Sequence, residues 1–200
     1  MLASAANCKV AVVALIPYAD DDAQDGRVRE VLERLPEPRI NLFTMLANAP
    51  ALIGPALRLG EAILTKCDLD VVLRELAILH TARVTGTEYE WVQHEAIARL
   101  VGIQEEKIRA VEGGEIDGEP FEPRESLALS IVGAVAGGGT PSEDLVKRGE
   151  AELGRAQLLE LLILAGYYAM LGGVMRAVRL DVDSVLEKGM LDRDRLGGGG

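Results

Sequence analysis

The stretch DLDVVLRELAILHTARVTGTEYEWVQHEAIARLVG, residues 68–102, decides the fold. Asp68 stands where an N-cap belongs, with a short carboxylate able to accept from the free amides of a first turn. From Leu69 onward the apolar residues Val71, Val72, Leu73, Leu76, Ala77, Ile78, Leu79, Ala82 and Val84 fall on almost every face of a helix. That pattern predicts a helix enclosed by other helices. Gly86 ends it, and a second helix is predicted from Glu88 to Val101, stopping at Gly102.

Upstream, Arg27 to Leu35 reads as an amphipathic helix that halts before Pro36 and Pro38. Asn41 to Ala47 and Pro55 to Leu64 read as two more, parted by Pro50 and Gly54. Downstream, the stretch from Glu112 to Pro123, rich in Gly, Pro and acidic residues, predicts an exposed loop that divides the chain. A helix over Glu125 to Ala136, a break over Gly137 to Pro141 and two further helices follow. The heptapeptide Leu73 to Leu79 aligns with Leu158 to Leu164, setting Glu160 opposite Glu75 and Arg179 opposite His94, which suggests a duplicated helical unit.

The 200 residues suffice for one large domain or two small ones, and 48% are hydrophobic but only 4% aromatic, so the interior is built from Leu, Ala, Val and Ile, a mixture that favours packed helices. A net charge of -11 argues against nucleic acid and anionic membranes as partners and leaves a small molecule or a protein. Cys8 and Cys67 lie far apart with no CxxC, which indicates neither a disulfide framework nor a thiolate metal site and suits the cytoplasm. The apolar run from Val10 to Pro17 makes a poor signal peptide, because Asp20, Asp21 and Asp22 follow it. Ala156 to Met175 approaches the length of a bilayer span, yet Glu160 within it favours a helix buried on all sides, part of it under another subunit.

Three residues are candidates for chemistry. Glu75 interrupts an apolar helix, where burial would raise its pKa toward the range useful for proton transfer; the alternative is a structural pair with an arginine such as Arg83. His94 follows Glu90 by one turn, so Glu90 could orient the imidazole or hold it protonated, or the two could form an ordinary surface pair. His80 shares a face with Leu69, Val72 and Leu73 and reads as a core or interface histidine. No metal-ligand pattern and no phosphate-binding loop is present in the sequence.

Arg74-Glu75-Leu76, the break at Gly86, then Tyr89-Glu90-Trp91 and His94 together resemble the carboxymuconolactone decarboxylase family, relatives of alkylhydroperoxidase D. The similarity extends through Asn41-Leu42-Phe43, Met45-Leu46-Ala47, Ala49-Pro50, Ile97-Ala98 and Gly102, covering residues 27–112 and the remainder in outline. The family's peroxidase branch has a glutamate, eleven residues, a cysteine, two residues, a cysteine, three residues and a histidine. Here Glu75 and His94 match the outer positions, while Thr87 and Glu90 occupy the cysteine positions. Without that thiol pair the peroxidase cycle cannot run.

The resemblance implies an all-α, alkylhydroperoxidase D-like bundle with two pseudo-repeated halves, assembled as a homo-oligomer: a trimer or hexamer, with a dimer as the alternative. The expected layout is an N-terminal extension over 1–26, a core over 27–112, a linker over 113–123, a second half over 124–190 packing on the core and a flexible tail over 191–200. The implied function is a cofactor-free, metal-free lyase that removes carbon dioxide from a small carboxylated lactone or related carbonyl compound. Glu75, His94 and Glu90 are its catalytic candidates, and Trp91, Tyr89, Thr87 and Arg83 its substrate-binding ones. Two alternatives stay open: a non-catalytic ligand-binding oligomer, and a peroxidase-related protein using Cys67.

Overall fold

Helix α4 (Val71–Thr85) is the axis of the molecule, which we describe from a computed structural model covering residues 14–183 except 21, 23, 24, 36 and 38. The apolar run from Val10 therefore lies partly outside the described residues, as do Cys8 and the 191–200 tail. Every residue from Leu73 to Ala82 is buried, as expected for a helix with no polar face. Its N-cap is Asp70 rather than Asp68: the Asp70 carboxylate accepts from the amides of Val72 and Leu73, both at 3.0 Å. Both aspartates precede the apolar run, but only Asp70 is within reach of the free amides of the first turn. Asp68 instead meets α8, its amide donating to Glu160 Oε1 and its carbonyl accepting from Gln157. Gly86, at φ +67°, closes the helix in the left-handed conformation that glycine adopts at no steric cost.

Around this axis run α1 (Gly26–Arg34), α2 (Asn41–Leu46), α3 (Ile53–Thr65), α5 (Glu88–Leu100), α6 (Glu105–Gly113), α7 (Pro123–Ala136) and α8 (Glu143–Val178). The described residues contain helices and no strands, which establishes the all-α class. Helix α6 was not anticipated, because its charge-rich first turn, Glu105-Glu106-Lys107, hides the buried Ile108, Ala110 and Val111. The loop after it begins only at Gly114. The two helices expected after Pro141 form one long element broken at Gly154, where φ +77° and ψ 166° depart from helical values. The start of α7 is fixed by a capping box between Glu122 and Glu125, with Pro123 in the first turn.

One core cluster joins Leu73, Ala77 and Ile78 of α4 to Ile131 and Val132 of α7 and Leu161, Leu164 and Tyr168 of α8. A second joins Leu76 and Leu79 of α4 to Ile108, Val111 and Leu129. A third, smaller cluster of Val28, Leu32, Ala47 and Ile53 ties α1 to α3. The heptapeptides 73–79 and 158–164 thus lie on α4 and α8, but Glu160 faces the Asp68 amide and Arg179 is an exposed cap of α8, so the echo yields no second glutamate–histidine pair. Among the described residues α8 alone is long and apolar enough to cross a membrane by length and composition, and 50% of its apolar window is buried in this fold.

Candidate active site

Glu75 and His94 meet across the α4–α5 contact. Glu75 Oε2 and His94 Nδ1 are 2.8 Å apart, with Glu75 0% exposed and His94 7%. The other carboxylate oxygen, Oε1, accepts from Arg74 Nε at 3.0 Å, and Arg74 Nη1 donates to the Leu64 carbonyl at 2.6 Å. Arg74 is itself buried. A carboxylate removed from water in this way needs its oxygens satisfied by donors, and both are.

The consequence for Glu75 corrects the sequence-based expectation. Burial alone pushes its pKa up, but His94 and Arg74, through charge and hydrogen bonding, outweigh burial and hold the carboxyl below its ordinary range. The arginine is Arg74, not Arg83, whose side chain is exposed and donates to the Glu112 carbonyl at 2.6 Å. With Glu75 ionised, the imidazole donates to it from Nδ1, and Nε2 is the nitrogen that Glu75 does not engage.

Glu90 is the carboxyl that is raised. It is 2% exposed, neither of its oxygens has a hydrogen-bond partner, and burial lifts its pKa to about 8, opposed only by the charge of Arg176. Neither expected role relative to His94 is realised: Glu90 makes no hydrogen bond to the imidazole and is not at the surface. At neutral pH it is a neutral acid holding a proton.

Gly172 of α8 lets that helix pack directly against Glu90 and Thr87. A Cβ there would collide with Thr87 Oγ1 and stand 3.4 Å from both Glu90 Oε2 and Thr85 Oγ1. Thr87, buried at the head of α5, lies 2.8 Å from Thr85 through the two hydroxyls. Tyr168, also on α8, sets its ring edgewise to His94 at 5.1 Å and 87°, and its phenol feels the charge of both Glu75 and Glu90. The site is therefore built by α4, α5 and α8. Sequence reading placed Arg74 in the motif beside Glu75 but gave the pairing to Arg83, and it missed Thr85, Tyr168, Gly172 and Arg176; the available signal was the Tyr167-Tyr168 and Gly172-Gly173 pairs inside an otherwise aliphatic run.

The remaining substrate-binding candidates lie elsewhere. The Tyr89 hydroxyl donates to Asp183 Oδ2 at 2.8 Å, and Trp91 packs against the cluster shared by α4 and α6. No hydrogen bond joins Tyr89, Trp91 or Arg83 to Glu75, Glu90 or His94. His80 is a core residue pressed against Gly133 of α7; burial, with Arg83 adding to it, pushes its pKa down to about 4, so it is neutral. Cys67 is half-buried, and burial together with Glu160 pushes its thiol up, opposite to the direction a nucleophilic thiolate requires. No group of three or more His, Cys, Asp or Glu side chains suited to a metal occurs among the described residues.

The fold and site define an all-α bundle in which a buried glutamate, Glu75, is hydrogen-bonded to His94 across two adjoining helices. Residues 53–117 match the model of the Carboxymuconolactone decarboxylase family. The fold is similar to the crystal structure of an alkylhydroperoxidase AhpD core, an uncharacterized peroxidase-related protein from Ralstonia eutropha JMP134, with a TM-score of 0.69 and 16% identity over 86% of this chain and 93% of that one. No curated protein matches the chain. The family match covers about a third of the chain, and the likeness to the solved structure shows an AhpD-like fold. The matched segment contains Glu75, Thr87, Glu90 and His94 but not Tyr168, Gly172 or Arg176.

Proposed function

We propose that the protein is a cofactor-free lyase of small carbonyl compounds that carry a carboxyl group beside the activated carbon. The reading rests chiefly on one observation: an ionised, doubly bonded Glu75 holds His94 at 2.8 Å next to a buried, unpartnered Glu90. In the proposed step the bond between the reacting carbon and the substrate carboxylate breaks. Carbon dioxide leaves, and the electron pair passes into an enolate. Protonated His94, oriented by Glu75 through Nδ1, donates from Nε2 to the developing oxyanion, and Glu90 delivers its proton to carbon, to be reprotonated from water. Arg74 acts through Glu75 as a positioning residue. Thr87, packed against the same Gly172 as Glu90, contacts substrate.

The assignment of proton donor to Glu90 follows from its lack of partners: a buried neutral acid is matched to neutral pH, whereas the Glu75 carboxylate is committed to His94 and Arg74. We further propose a homo-oligomer in the cytoplasm. Support for assembly comes from Leu159, Ile163, Gly166, Met170 and Val174, which recur every three or four residues along the exposed side of α8.

The test is carbon dioxide release from a panel of β-keto acids and carboxylated lactones. The wild-type chain should turn over at least one of them, and His94→Ala should lower that rate by about two to four orders of magnitude. A His94→Ala variant working at the wild-type rate removes the assignment.

A further inference from the structure

Gly166 and Gly173 stand inside α8 with no reason within this chain to be glycine. Neither has a positive φ, and a Cβ added at either would meet nothing within 4 Å. Glycine in a helix interior costs about 1 kcal/mol relative to alanine, so a compensating contact is expected. Four other glycines inside helices have one: a Cβ at Gly60, Gly133, Gly149 or Gly172 would collide with Tyr167, His80, Ile131 or Thr87 respectively. Gly166 and Gly173 lie instead on the uncovered side of α8, beside Leu159, Ile163 and Met170, which are 58%, 51% and 52% exposed. Only 50% of the apolar window of this helix is buried by the chain itself.

Leu159, Ile163, Gly166, Met170, Gly173 and Ala177 follow one another at alternating steps of four and three residues, the spacing of a seam between two helices. Within that seam, large and small residues mirror each other. For two antiparallel copies related by a twofold axis level with Tyr168, Leu159 falls opposite the partner's Ala177, Ile163 opposite the partner's Gly173 and Met170 opposite the partner's Gly166. Sliding one copy by a heptad sets Leu159 against the partner's Met170. Sliding it the other way sets Gly166 against the partner's Ala177 and carries Leu159 past the end of α8 at Val178. No charged residue occurs from Leu161 to Met175, so this face offers nothing to a basic partner even though the chain carries a net charge of -11. A lipid surface suits an unbroken row of large apolar groups, not a row with two gaps.

We propose that α8 is a self-complementary interface on which a second copy of this chain docks antiparallel, each Met170 seated over the partner's Gly166 and each Ile163 over the partner's Gly173. This rests on the assembly proposed above for the same face and adds its register and symmetry. An isologous pairing makes every contact twice and closes on itself. In the outer layers the small residue is Gly173 or Ala177, either of which leaves room for the large one opposite.

Sedimentation equilibrium of the full chain tests the register by exchanging the two central residues. Gly166→Met sets methionine against methionine and Met170→Gly sets glycine against glycine, and each should weaken self-association by about tenfold or more. The double variant Gly166→Met/Met170→Gly restores one large and one small residue to each central layer and should return to within about threefold of wild type. Because it carries both substitutions, its recovery separates a lost contact from a damaged fold. A double variant that associates no better than the weaker single one, or single variants that associate like wild type, would overturn this seam and leave assembly itself standing. A wild type that stays monomeric at about 100 μM, whether or not it binds phosphatidylcholine vesicles, would overturn assembly and seam together.

Discussion

Two buried glutamates on adjoining helices, Glu75 and Glu90, end in opposite states, and the reason lies in their donors. Glu75 has His94 and Arg74; Glu90 has none, only the distant charge of Arg176. The folded protein therefore keeps a proton on Glu90 that the unfolded chain has released over the window from the ordinary value of 4.5 to about 8. Since the folded state binds more protons there, stability falls as pH rises through that window, by a total of about 5 kcal/mol. Glu90→Gln should remove this slope, so that Tm at pH 9 approaches Tm at pH 5, and should abolish any alkaline limb of the rate profile; a variant with the wild-type slope would refute the account of Glu90. Which carboxyl is raised was not legible in the sequence. The family resemblance grouped Glu75, Glu90 and His94, but the donor that lowers Glu75 is its own neighbour, Arg74, whose direction depends on the path of α3.

At the scale of elements, the site depends on how closely α5 and α8 approach. Gly172 permits contact with Thr87, whereas Gly173, its neighbour in the same helix, has open space where a Cβ would go. Gly172→Ala should cost about 1–3 kcal/mol through overpacking and shift Glu90. Gly173→Ala should stabilise α8 by up to about 1 kcal/mol through helix propensity alone. Thermal denaturation of the two variants checks the pair, and equal effects would contradict the close approach. Helix existence was readable from apolar periodicity and from glycine stops such as Gly86. The Asp70 cap, helix α6 and the break at Gly154 were not, because each turns on local hydrogen bonding or tertiary burial that periodicity does not record.

For the whole molecule, the exposed apolar side of α8 and the net charge of -11 pull against each other: uniform negative charge keeps copies apart unless an uncharged face meets its like. Ile163→Glu places a charge in the middle of that face. Light scattering should show the mass of an assembly for wild type and a smaller species for the variant; a monomeric wild type would remove the assembly proposal. The all-α class and the central place of the 68–102 stretch were legible because burial on all faces is written into composition. The contribution of α8 to the site was not, since Tyr168, Gly172 and Arg176 lie some seventy or more residues from His94 and come to it only through the packing of α8 on α4.

The central claim is the division of labour between the two carboxyls, and a carbon-13 NMR titration of the glutamate side chains tests it most directly. The account predicts one carboxyl titrating near 8 that vanishes in Glu90→Gln and persists in Glu75→Gln. A raised carboxyl that disappears with Glu75→Gln instead, or the absence of any glutamate titrating above the ordinary carboxyl range, would contradict it.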